Sequence, residues 1–165
     1  MKSGIFIRFA LAALMGLFPA CSSFDSHWKN AAKEGSQATR WDGHWTSEKH
    51  RKSDGSPEGG RLRCVLEPRE GKKLEAYFHA NWLIFSSNFD MMLQPVAVGP
   101  RRPNARAYEG THLLPAMFGG TYHYQATMDD NHFTALYTSS YDHGTFALQR
   151  VDLPKNHKLS PHTQH

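Results

Sequence analysis

Trp41-Asp42-Gly43-His44-Trp45 opens the part of the chain that reads as β-strands, and Phe146-Ala147-Leu148-Gln149-Arg150 closes it. Trp41, Gly43 and Trp45 alternate, so in a strand they share one face, and Phe146, Leu148 and Arg150 do the same. If first and last strands pair antiparallel, Arg150 arrives beside the tryptophans. A guanidinium lying over an indole would close that end of the structure, so Arg150 is expected to stack on Trp41 or Trp45.

Between these two stretches the hydrophobic period is two rather than 3.6. Strands are predicted over residues 41–47, 61–67, 74–85, 89–98, 106–114, 121–128, 132–139 and 145–151. The separators carry turn chemistry, as in Ser53-Asp54-Gly55-Ser56-Pro57, Gly99-Pro100, Gly119-Gly120, Asp129-Asp130-Asn131 and Asp142-His143-Gly144. Short strands joined by tight links predict an all-β fold, an eight-stranded antiparallel up-and-down barrel, with a β-sandwich as the alternative. Closure removes exposed edges, and an eight-stranded barrel is just wide enough to be filled or to hold one small ligand. One face carries Leu62, Cys64, Leu66, Leu74, Ala76, Phe78, Ala80 and Trp82, continued by Tyr122, Tyr124, Ala126, Met128, Phe133, Ala135, Tyr137, Phe146 and Leu148. Aromatics interleaved with alanines suit a narrow, curved interior.

Gly43-His44-Trp45 near the first strand, with the basic Arg150 on the last, resembles the signature of the lipocalins and the wider calycin barrels. That resemblance implies a calycin-like barrel and makes Trp41, Gly43, Trp45 and Arg150 its structural signature. The closing segment, from Phe133-Thr134-Ala135-Leu136-Tyr137 through Arg150, is similar to one in uncharacterised bacterial envelope lipoproteins and implies no chemistry. Unlike the lipocalins, the chain shows no C-terminal helix pattern. Residues 153–165 are polar and proline-marked, and a disordered tail is expected there.

At the N-terminus, Lys2 and Arg8 flank an apolar run over residues 9–18, followed by Pro19-Ala20-Cys21. A basic start, a short apolar stretch and a small-residue exit describe a secretory signal over residues 1–20, too short to span a bilayer. Leu17-Phe18-Pro19-Ala20-Cys21-Ser22-Ser23 resembles a bacterial lipobox, with Phe18 and Pro19 departing from the usual residues. The resemblance implies lipidation at Cys21, and Ser22 favours the outer membrane over the inner. Plain secretion with cleavage after Ala20 is the alternative. Residues 21–40 are then a lipid-anchor linker, with a short helix packing Trp28 on the sheet as the alternative, and residues 41–152 the barrel domain. Cys64 is left as the second of two cysteines and reads as a small buried hydrophobe.

Loss of Lys2 and Arg8 with the signal lowers the net charge from +4 to +2, too small and too scattered for nucleic acid. There is no Gly-x-Ser-x-Gly, His-Glu-x-x-His or phosphate loop, and the eleven histidines have no ligand spacing. Asp142-His143 with Ser139 or Ser140 suggests a hydrolase site only weakly, because the same residues make a hairpin turn. No enzyme activity, metal or cofactor is expected.

In an up-and-down barrel the links alternate between ends. One end gathers the polar link over residues 48–60 and two apolar links, residues 82–89 and 113–118. Apolar links suggest a greasy mouth. Trp82, Phe85, Met117 and Phe118 are the candidate ligand contacts, with Tyr122, Tyr137 and His143 as polar handles. Two functions follow: a lipid-anchored envelope protein holding a small apolar molecule, or an envelope structural or protein-interaction module with a filled barrel. The sequence leaves the oligomeric state open.

Overall fold

The computed structural model describes residues 21–82, 85–97, 104–116 and 119–151. The signal-peptide expectation, the expected tail over residues 153–165, Met117 and Phe118 lie outside the described residues. Among the described residues one helix, α1 (Cys21–Ala31), precedes eight strands: β1 (Thr39–Arg51), β2 (Pro57–Pro68), β3 (Leu74–Trp82), β4 (Phe85–Val96), β5 (Arg106–Leu113), β6 (Thr121–Met128), β7 (His132–Thr138) and β8 (His143–Arg150). They form a closed barrel in sequence order, every neighbour antiparallel. The predicted fold class is therefore the observed one, and the barrel is compatible with a lipocalin-like architecture.

The alternating residues fill the inside. Trp41, Leu62, Cys64, Leu66, Ala76, Phe78, Phe133, Ala135, Phe146 and Leu148 are all buried in one cluster. Its rings touch from end to end: Trp41 to Phe133 at 6.2 Å between centroids, Phe133 to Phe78 at 6.4 Å, Phe78 to Phe146 at 5.6 Å and Phe146 to Tyr137 at 5.2 Å. Those separations are ordinary aromatic packing, so the axis of the barrel is occupied by side chains.

Three local expectations are corrected. The apolar stretch over residues 82–89 is a hairpin rather than a link: Trp82 pairs with Phe85, and Phe78 with Phe89. Pairing satisfies backbone groups that an apolar loop would leave bare. The polar link over residues 48–60 is mostly strand as well, since β1 runs to Arg51 with an irregularity after Thr46. Its turn is Lys52 to Ser56, where Gly55 has φ 82°.

The third concerns residues 21–40, expected as a linker with a helix packing Trp28 on the sheet as the alternative; the alternative is the arrangement observed. Phe24, Trp28 and Ala31 recur on one helical face, and α1 lays that face on the outside of β2 and β3. Phe24 is 2% exposed, over a fully buried Val65. Burial of such a phenylalanine contributes about 2 kcal/mol. The Arg63 guanidinium lies 5.2 Å from the Phe24 ring and 5.4 Å from Trp28, and that of Arg40 lies 5.3 Å from Trp28. His27 stacks on Tyr77 at 3.5 Å and bonds Glu67 at 2.6 Å.

Candidate functional site

The barrel has two ends of different chemistry. At the upper end stand the β1–β2, β3–β4, β5–β6 and β7–β8 connections. At the lower end are the start of β1, the end of β8 and the remaining connections.

At the upper end the structure scatters the predicted ligand contacts. Trp82 points inward as alternation requires and packs on Trp45, 5.3 Å between rings, while Trp45 Nε1 donates to the Asn81 carbonyl. Phe85 is 63% exposed at the hairpin tip, and Leu113 is 74% exposed. Tyr122 is half-buried beside Tyr124 and Tyr137, which are buried. Burial pushes the Tyr124 and Tyr137 hydroxyls well above the ordinary tyrosine range, and for Tyr137 the nearby Asp142 carboxylate adds to the push. His143 is exposed and faces Glu48 at 3.8 Å. The described members of the predicted mouth thus divide between core, rim and solvent.

What the upper end does assemble is a buried polar hub that spacing could not announce. Asp142, 8% exposed, accepts from Ser47 Oγ at 2.7 Å, from the Tyr137 hydroxyl at 3.0 Å and from the backbone N–H of His143 at 2.8 Å. Ser47 Oγ in turn accepts from the backbone N–H groups of His50 and Lys49, at 2.8 and 3.2 Å. Ser139 Oγ accepts from the backbone of Tyr141 and Asp142 and closes the β7–β8 turn. The Ser47 hydroxyl is donated to the carboxylate itself and is almost wholly buried, so the arrangement ties β1 to the β7–β8 hairpin. No protein-family model matches the chain, and a search of curated proteins finds no match.

At the lower end the register sets Arg150 opposite Trp41, whereas Trp45 pairs with Phe146 nearer the other end. Trp45 therefore does not plug the lower end, and Trp41 is the tryptophan beside Arg150. The expected stacking of Arg150 on either indole is not among the ring contacts of the described residues; Arg40 and Arg63 lie over the Trp28 indole outside the barrel instead. Arg150 and Trp41 share a pocket of about 160 Å³. Between β4 and β5 the ladder is short, three residue pairs from Gln94–Glu109 to Val96–Ala107. Above it His112 Nδ1 donates to the Asp90 carbonyl at 3.1 Å.

Cys64 is completely buried and desolvation raises its thiol well above the usual range, which agrees with a packing role.

Proposed function

We propose that the chain is a lipid-anchored, non-catalytic protein of the bacterial cell envelope, held at the outer membrane through Cys21. In this reading the barrel is a filled structural or interaction module and works through its surface. The lipobox resemblance at Leu17 to Ser23 and the likeness of the closing segment to envelope lipoproteins support the location. The ring-to-ring packing along the axis favours the filled module over a carrier of an apolar molecule, because a carrier needs interior space.

The observation that carries the reading is the direction of α1. Phe24 lies at the level of Arg63 and His79, whereas His27 lies at the level of Tyr77 and Glu67, closer to the lower end. The helix begins at Cys21, so its anchor end points toward the upper rim, where Phe85 and Leu113 are exposed. A lipid there would hold the apolar rim toward the bilayer and turn the lower end away from it.

The test is direct. Intact mass of protein from the membrane fraction should show a mature chain beginning at Cys21 with added acyl groups. Cys21→Ser should move the protein to the soluble fraction with its fold unchanged. Retention of Cys21→Ser in membranes would mean that lipid is not the anchor.

A further inference from the structure

The lower end of the barrel holds a pocket of its own. This pocket, about 160 Å³, is floored by Trp41, Leu66, Leu74 and Met128 and flanked by Arg106 and Arg150. Trp41 Nε1 already donates to Thr39 Oγ1 at 2.8 Å, so the indole offers its apolar ring rather than a free donor. Arg150 Nε, by contrast, is buried and has no acceptor. A buried guanidinium nitrogen without a partner is costly, and an anion set against the part of the half-buried guanidinium that lines the pocket offsets that cost by charge pairing.

We propose that this pocket binds a small monocarboxylate with an apolar body, its carboxylate on Arg150 and its hydrocarbon on the Trp41–Leu66–Leu74–Met128 floor. Size and charge define the class. A cavity of this volume is comparable to one that accepts a single benzene ring, roughly 150 Å³, so benzoate or a short fatty acid fits and a long-chain lipid does not. Two carboxylates also line the pocket. Asp129 is turned to the backbone N–H groups of Asn131 and His132, at 2.8 and 2.7 Å, and Asp130 remains as a negative neighbour. The two arginines and two aspartates leave the lining without net charge, so a single carboxylate gains only by pairing locally with Arg150, and a dianionic phosphate meets more repulsion. The site is opposite the rim assigned to the membrane, and its chemistry does not depend on the lipid anchor.

The experiment is a titration of the full folded protein with hexanoate and with hexan-1-ol, which share an apolar body and differ in charge. Hexanoate should bind at least about tenfold more tightly than the alcohol. In the unaltered protein, the Arg150 Nε–H and Trp41 Nε1–H resonances should shift along the hexanoate titration. Arg150→Gln should lower hexanoate affinity by about the same factor and leave hexan-1-ol unchanged. If Arg150→Gln does not fold, the resonance shifts in the unaltered protein decide the matter alone. Equal affinity for the two probes, no binding of either, or shifts confined to residues at the Phe85 end would overturn the proposal.

Discussion

Gly43→Ala should destabilise the protein by about 3 kcal/mol or more, a large share of the roughly 5–15 kcal/mol that holds a domain folded. Gly43 pairs with Leu148 where β1 meets β8, the seam that closes the barrel. A Cβ added there would collide with the Ala147 carbonyl oxygen and stand 2.9 Å from the Leu148 Cα. Both are backbone atoms and cannot swing aside as a side chain does, so the two strands must part. Gly55→Ala is the control. Its added Cβ meets nothing within 4 Å, and only its φ of +82° is strained, so the cost there is about 1 kcal/mol. Denaturant midpoints of the two variants measure the difference. Equal midpoints would show that the seam relaxes freely and that Gly43 has no special place in closure.

Asp142→Ala should cost about 3 kcal/mol. It removes the acceptor shared by Ser47, Tyr137 and the His143 backbone while leaving those donors in a largely dry site. Asp142→Asn keeps one acceptor oxygen and should lose about half as much. Tyr137→Phe removes a single donor, with a loss of about 1 kcal/mol. The order of the three midpoints is the check. If Asp142→Ala and Tyr137→Phe lose the same amount, the carboxylate is bonded to the tyrosine alone and does not tie β1 to the hairpin.

Strand alternation made most of the barrel legible. Phe133, Ala135 and Tyr137 on β7, and Phe146 and Leu148 on β8, announce their inward face because a period of two has no other reading there. Arg150 beside a tryptophan was equally legible, but sequence left Trp41 and Trp45 as equal partners. The register, which pairs Trp41 with Arg150 and Trp45 with Phe146, makes the choice. The β3–β4 hairpin was hidden by its own composition. Trp82-Leu83-Ile84-Phe85 has no glycine, proline or asparagine to mark a reversal, so the turn read as a greasy link.

The docked helix and the polar hub were harder for different reasons. Only Phe24, Trp28 and Ala31 mark the buried face of α1, a narrow stripe within a polar segment. Its stability comes from Val65, Tyr77 and Arg63, which sequence does not place beneath it. Ser47 and Asp142 are 95 residues apart, and no motif spacing links them. Only antiparallel closure of β1 on β8 brings them together. The pocket at the lower end belongs to the same class. Its wall residues looked like strand ends and turns, and the unpartnered Arg150 nitrogen is visible only in three dimensions.

In the proposed arrangement the Phe85 end of the barrel would face the bilayer and the Arg150 end would face away. A spin label at Phe85→Cys or Asp130→Cys, on protein purified from the membrane fraction and held in bilayers, measures this directly. Native Cys64 is buried, and in the proposed reading Cys21 would carry lipid, so the label would enter only at the new thiol. The account predicts that the label at position 85 relaxes mainly with oxygen, which concentrates in lipid. The label at position 130 should relax mainly with a water-soluble nickel chelate. The reverse pattern, or nickel-dominated relaxation at both positions, would contradict it.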